Sequence, residues 1–284
     1  MPKYRWILIG VKFEGNFRKG ENMVTHSIFQ VDAFTDQVFK GNPAGVCPIY
    51  GWLADDLMSS IARENNLSET AFVNLDQSPY GIRWFTPKYE VELCGHATLA
   101  AAKILFDRYL DRDKNSVSFI SARGPLSAKK IDERIYLDFP ADFPNEQQLD
   151  KKIVASLNSV PKKIFRGQDD YLAIFEREEE IELLTPNLKE ISLLEARGVI
   201  ASAPGTQSDF VSRCFYPSVG VDEDPVTGSA HTLLTPYWKA ALSKKKMLAR
   251  QISARGGQLF CELHGERVMI GGEAVTYLVG KIYV

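Results

Sequence analysis

The stretch Asn66-Leu67-Ser68-Glu69-Thr70-Ala71-Phe72-Val73 sets one carboxylate at the junction between a helix end and a short apolar strand. Strands rarely carry Glu, and Ala71, Phe72 and Val73 predict a buried one here. An acid in such surroundings has its charged form disfavoured, which tunes carboxylates toward proton transfer. Local sequence leaves a second reading open, in which Glu69 caps a backbone turn or pairs with Arg63 on the surface.

Two other stretches have the composition of anion sites. Cys94-Gly95-His96-Ala97-Thr98 and Thr227-Gly228-Ser229-Ala230-His231 each open an apolar helix with Gly and small residues. Such a start presents unpaired backbone N–H groups and the positive end of a dipole, which suits a carboxylate. The alternative is that the glycines only permit tight helix–strand packing. Both stretches lie in an internal repeat, because Arg83-Trp84-Phe85-Thr86-Pro87 matches Arg213-Cys214-Phe215-Tyr216-Pro217 at an offset of 130 residues. The Pro-to-Gly gap is eight residues in the first copy and eleven in the second. Two homologous domains follow, each a curved sheet around one central helix, with the two helix starts facing a shared cleft. Shifted by 130 residues, Glu69 falls near Val199 in Gly198-Val199-Ile200-Ala201-Ser202-Ala203, which has no ionisable side chain. The second domain is therefore expected to lack a twin base, leaving Glu69 as a one-base shuttle.

The elements that would position these groups read as strands and helices in mixed order. Strands are predicted at residues 27–34, 44–49, 69–73, 81–85, 117–122, 126–130 and 135–139 in the first half. Helices are predicted over Leu53 to Glu64 and over Gly95 to Leu110, the latter apolar around its girth and so buried. Later come a polar run from Asn145 to Asp150 and a helix from Lys151 to Leu157, then a charge run, Glu178 to Glu180, read as a solvated face. Asn187 to Ala196 and Gly228 to Leu242 read as helices, with Pro236 expected to disturb the second one turn earlier. Strands at 163–165, 171–175, 198–203, 209–216, 249–254, 258–270 (turning at His264-Gly265) and 274–284 complete the chain.

At 284 residues, with 45% hydrophobic and 25% charged residues, the chain fits one large or two medium soluble domains. A net charge of −2 and the lack of a basic stripe argue against nucleic acid. The early apolar run from Trp6 to Val11 is too short to span a membrane and lacks a signal-peptide cleavage pattern. Cys47, Cys94, Cys214 and Cys261 are isolated, which argues against structural zinc and a disulfide framework, with a cytoplasmic location as the default. His231 and His264 read as structural, and no metal-ligand spacing stands out. Residues 1–22 carry no periodicity, and Lys19-Gly20-Glu21-Asn22 can be encoded by a purine-rich run resembling a ribosome-binding site. Translation is therefore expected to begin at Met23, with residues 1–22 adding little to the fold.

Five motifs together resemble the phenazine-biosynthesis PhzF-like isomerases: Val31-Asp32-Ala33-Phe34, Gly41-Asn42-Pro43, Ser68-Glu69-Thr70-Ala71-Phe72, Cys94-Gly95-His96-Ala97-Thr98 and Glu223-Asp224-Pro225-Val226-Thr227-Gly228-Ser229-Ala230-His231. The resemblance runs from about Ser27 to the C-terminus. It implies an α+β protein of two pseudo-symmetric diaminopimelate-epimerase-like domains, each a curved, mostly antiparallel sheet or barrel around a central helix. The domains expected are 23–125 and 126–274, with the last strand, about 275–284, returning to the first. The resemblance implies Glu69 as acid/base, with His96 and Asp224 as its catalytic companions. Gly95, Gly228, Ser229 and Asn42 would bind substrate, the glycines through backbone amides. Taken alone, His96, Asp224 and Ser229 read as a helix-end histidine, a turn residue and a helix-start hydroxyl.

In related epimerases and proline racemases two thiols work on opposite substrate faces; here the matching positions are Cys94 and Thr227. A two-thiol mechanism is thus not expected, and Cys94 reads more readily as an inert buried cysteine. The expected function is a cofactor-free, metal-free isomerase moving a proton within a small carboxylate-bearing substrate, in a homodimer. An epimerase or racemase and a non-catalytic ligand-binding protein are the alternatives.

Overall fold

The computed structural model describes residues 24–284, so the segment 1–22 and the expected start at Met23 lie outside the described residues. The first half of the chain runs β1 (Thr25–Ala33), β2 (Asn42–Ile49), α1 (Asp55–Asn65), β3 (Glu69–Asn74), β4 (Tyr80–Phe85), β5 (Glu90–Val91), α2 (Gly95–Arg108), β6 (Ser116–Ser121), β7 (Gly124–Ile131) and β8 (Arg134–Pro140). The second opens with β9 (Asn145–Gln147), α3 (Lys151–Leu157), β10 (Lys163–Arg166), β11 (Asp170–Ile174), α4 (Glu178–Glu182) and α5 (Leu188–Ser192). It continues through β12 (Gly198–Pro204), β13 (Phe210–Tyr216), a 3-10 turn (Pro217–Val219), β14 (Val221–Asp224) and α6 (Ala230–Leu242). It closes with β15 (Lys246–Gln251), β16 (Gly257–His264), β17 (Arg267–Gly272) and β18 (Ala274–Tyr283).

The sequence repeat is a repeat of topology. In the first half β2 and β3 pair in parallel, β3 and β4 antiparallel, and β4 and β6 in parallel, with α2 inserted before β6. In the second half β11–β12, β12–β13 and β13–β15 repeat that order, with α6 inserted before β15. The register aligns the copies residue by residue. Phe85 pairs with Thr70 and Phe215 with Val199, so Thr70 corresponds to Val199 and Glu69 to Gly198. Trp84 pairs with Val91 and Cys214 with Asp224. From those positions Gly95 and Gly228 each follow after the same four steps, so Cys94 corresponds to Thr227 and His96 to Ser229. Both copies also keep a forked Arg–Glu pair across the hairpin. Arg83 donates to Glu90 at 2.7 and 2.6 Å, and Arg213 donates to Glu223 at 2.8 and 2.8 Å. The extra residues of the second hairpin form the 3-10 turn, which accounts for the longer Pro-to-Gly gap.

The result is a sheet-rich α+β architecture around two central helices. A single apolar core takes in α2 through Leu99, Ile104 and Leu105 and α6 through Leu233, Leu234 and Trp238. Strand β3 is buried on both faces. Ala71 and Val73 face that core, and Phe72 faces a second cluster with Met58 and Ile61 of α1. Strand β12 is likewise covered on both sides, with α4 and α5 on its outer face. β18 pairs antiparallel with β1, bringing the chain end back to the first half, and β8 pairs with β17, joining the halves. The division expected after residue 125 falls within β7.

Three local expectations are corrected. The charge run Glu178 to Glu180 opens α4 and is solvated only in part: Glu179 is exposed, but the buried Glu178 carboxylate accepts from Thr206 N at 2.6 Å and Thr206 Oγ1 at 2.7 Å. Within Asn187 to Ala196 only Leu188–Ser192 is helical, and Asn145–Gln147 of the polar run pairs as β9. Pro236 does not break α6. The carbonyl it leaves free one turn back, that of Thr232, accepts the Asp142 backbone N–H at 3.1 Å.

Candidate active site

Side chains alternate along a strand, so Glu69 lies on the same face of β3 as Ala71 and Val73, the face turned to α2. It therefore reaches the start of that helix, where its Oε2 lies 3.2 Å from Nε2 of His96. The Glu69 side chain is 18% exposed and that of His96 7%, so solvent can reach the acid while the imidazole is enclosed. Neither atom has another hydrogen-bond partner among the described residues. On the other side of the ring, Cys94 Sγ stands 3.6 Å from His96 Nδ1. Burial opposes a charge on His96, but the Cys94 and Glu69 groups beside it outweigh that and hold its pKa well above the ordinary imidazole value. Burial is also the main cause that pushes the Cys94 thiol up.

The second half of the chain supplies the facing wall. Asp224 accepts from Asn42 Nδ2 at 2.8 Å and from Thr227 Oγ1 at 2.5 Å, and Asn42 Nδ2 also donates to the Val226 carbonyl at 2.8 Å. Asn42 thus ties the first half to the loop carrying Asp224. Burial raises the Asp224 pKa, against the opposing pull of the His96 charge, and Glu69 is close enough to add to the rise. The helix starts meet where the halves join: a Cβ added to Gly95 would stand 3.6 Å from Gly228 Cα. Ser229 accepts from Arg197 Nη1 at 3.1 Å. All seven residues singled out in the sequence (Asn42, Glu69, Gly95, His96, Asp224, Gly228 and Ser229) thus lie on or next to these two helix starts and the loops feeding them.

Sequence reasoning missed two supports. Gln251, 1% exposed, accepts from Thr227 N at 2.8 Å and donates to the Asp224 carbonyl at 2.7 Å, so it fixes the loop between them. Its signal was present, since Gln251 follows Met247 and Ala249 at the inward positions of a strand, where a lone Gln needs partners. Arg197 with its partner Asp170 had no such signal. The local pair considered for Glu69, with Arg63, gives way to His96.

Glu69, Cys94 and His96 also offer one ligand atom each within 4.8 Å of the others, a grouping that sequence spacing did not suggest. The starts of α2 and α6 lie beside this grouping.

His231 lies one turn into α6, fully buried, with Nδ1 2.8 Å from the Thr227 carbonyl. Burial pushes its pKa down from 6.5 to about 4, so the ring is neutral near pH 7 and Nδ1–H donates to that carbonyl. The unfolded chain then takes up this proton before the folded one does. The stabilisation present at neutral pH is lost as pH falls from 6.5 toward 4, by up to about 3 kcal/mol. Guanidinium denaturation at several pH values checks this. His231→Phe, whose ring can pack on Phe210, should flatten the acid slope, and an unchanged slope would contradict the assignment.

No helix among the described residues is long and apolar enough to cross a membrane. Comparison with known proteins places the chain among relatives of full length. The phenazine biosynthesis-like family model, PhzC-PhzF, matches residues 31–280. An uncharacterized isomerase of Pseudomonas aeruginosa is 50% identical over 253 residues, 89% of this chain and 97% of that protein. The crystal structure of a PhzF-family phenazine biosynthesis protein from Enterococcus faecalis superposes with a TM-score of 0.89 at 42% identity, covering 92% of this chain and 100% of that one. A probable proline racemase from Agrobacterium radiobacter shares the fold alone, with a TM-score of 0.62 at 12% identity over 90% of this chain and 92% of that one.

Proposed function

This chain belongs to the phenazine biosynthesis-like PhzC-PhzF family, and from that premise we propose an isomerase that moves a proton between two carbons of a small carboxylate-bearing metabolite, with Glu69 as its one base. The broader assignment, an isomerase or epimerase, follows from that membership. The observation that carries the finer reading is the Glu69–His96 contact at 3.2 Å, set beside two glycine helix starts with no acid at the matching position of the second half.

The substrate carboxylate lies against the backbone N–H groups at Gly95 and Gly228, where charge and geometry favour an anion. Asn42, Asp224 and Ser229 fix the orientation of its polar groups. Glu69 takes a proton from one carbon as the electron pair shifts along the substrate, and the resulting Glu69 carboxylic acid returns that proton to a second carbon on the same face. His96, 3.2 Å away, orients Glu69 before the first transfer and keeps the resulting acid in place for the second. No cofactor enters this sequence of steps.

Inversion of a single carbon would require a second base on the opposite face. Cys94 lies within 4.8 Å of the Glu69 and His96 ligand atoms, hence on the same side, and its counterpart in the other half is Thr227. Both features favour the one-base reading. The test is a screen of small carboxylate metabolites for deuterium uptake from D2O, read by NMR. At least one carboxylate should gain deuterium with wild-type protein and none with Glu69→Gln. Exchange that persists in Glu69→Gln would end the proposal.

A further inference from the structure

The pseudo-symmetry gives the acid/base groups on the Glu69 side counterparts of a different chemical kind. Glu69 corresponds to Gly198, His96 to Ser229, and Ser68, just before the base, to Arg197. Ala44 pairs with Glu69 across the parallel ladder, and its counterpart Asp170 pairs with Gly198. Where the first half assembles a base, the second half assembles an arginine, an acid and a hydroxyl.

These three form one fixed unit. Arg197 Nε donates to Asp170 Oδ1 at 2.9 Å, and Arg197 Nη2 bonds Asp170 Oδ2, a forked pair on a carboxylate whose side chain is only 5% exposed. The guanidinium lies 4.6 Å over the ring of Tyr216. Ser218 Oγ bonds the Arg197 carbonyl at 2.5 Å, so backbone and head group are both held. The remaining arm, Nη1, donates to Ser229 Oγ at 3.1 Å. A second buried polar group, the Tyr216 hydroxyl, lies beside this unit with the Cys214 thiol near it. Its residue is 3% exposed.

A hydroxyl that accepts from an arginine cannot turn its own lone pair that way and donate there as well. Its proton must point elsewhere, and Ser229 sits directly after Gly228 at the helix start. We propose that the Asp170–Arg197 pair fixes Ser229 as an obligate hydrogen-bond donor toward the cleft, so that this half of the site recognises an anionic oxygen on the substrate and rejects an ammonium group there. Arg197 is thus a positioning residue acting through Ser229, and the substrate class narrows to small acids with an acceptor facing Ser229. This inference rests on the assignment of Ser229 to the substrate site.

Succinate serves as the probe, with binding measured by isothermal titration calorimetry in wild type, Arg197→Met, Ser229→Ala and the double variant. Each single change should weaken succinate about tenfold or more, and the double should be no weaker than the worse single within about twofold, because the two residues act in series. Independent, multiplied losses would overturn the proposal, as would unchanged binding in Arg197→Met or no binding of succinate by wild type. Arg197→Met leaves a buried acid unpaired, so two companions keep the test decisive if it fails to fold. Asp170→Asn with Arg197→Met removes the orphan charge and should lose succinate equally. Arg197→Lys keeps a cation for Asp170, yet one ammonium cannot reproduce the fork and reach Ser229, so it should also weaken binding. Loss of exchange in Glu69→Gln with normal succinate binding in the Arg197 variants would sink this inference and leave the one-base reading standing.

Discussion

Glu69→Gln is expected to lower the rate of proton exchange by about 10³-fold while leaving the fold and anion binding intact. The carboxylate sits at the first position of β3, and the strand's contribution to the core comes from Ala71, Phe72 and Val73. Gln has the same shape and can still face His96, so packing barely changes. What disappears is the group that can take and return a proton. The proposed anion site uses backbone N–H groups at Gly95 and Gly228, which the substitution does not touch. Glu69→Asp makes a graded companion. It keeps the acid but withdraws it by one methylene, and a displacement near 1 Å is expected to cost about 10²-fold. Comparison of exchange rates with thermal melting separates the effects. A Glu69→Gln protein exchanging within tenfold of wild type would remove Glu69 from the chemistry.

The second large effect concerns the place where a twin base would be. Gly198→Ala should destabilise the protein by about 3 kcal/mol or more, read by chemical denaturation. Gly198 opens β12, and a Cβ there would overlap the Phe215 carbonyl oxygen and the Tyr216 ring. Those atoms belong to the paired backbone and enclosed core of β13, which cannot move aside as a flexible side chain could. The position that carries Glu69 in the first half is therefore closed to any side chain in the second. A cost below about 1 kcal/mol would mean that the strand pair tolerates a side chain there, and one physical reason for a single-base site would be lost.

Much of the site was legible because its residues obey local rules. The period-two placement of Glu69 with Ala71 and Val73 follows from the strand pattern, and the anion-binding starts follow from Gly95 and Gly228 ahead of apolar helices. The internal repeat was visible in Arg83 and Arg213 because each keeps a glutamate partner at the same register position. Alignment by sequence offset was one residue off, matching Glu69 to Val199, because the stretch between the paired positions of β12 and β13 is one residue longer than that between β3 and β4.

Other features depend on partners far along the chain. Pro236 removes the helix hydrogen bond one turn back as expected, but nothing near it reveals that Asp142 will take up the freed carbonyl and let α6 continue. Glu178 read as surface because Thr206, which satisfies it, is 28 residues away. Arg197 and Asp170 carry no signal in the sequence, and only the parallel pairing of β11 with β12 brings them beside Ser229.

The central claim is that one base serves both transfers on one face of the substrate. The most direct measurement uses a carboxylate returned by the exchange screen, deuterated at the carbon that loses its proton and converted in H2O. NMR of the product then gives both the fate and the face of the label. A one-base shuttle predicts that part of the deuterium reappears at the receiving carbon, on the face from which it was taken. Deuterium or proton delivered to the opposite face would contradict it.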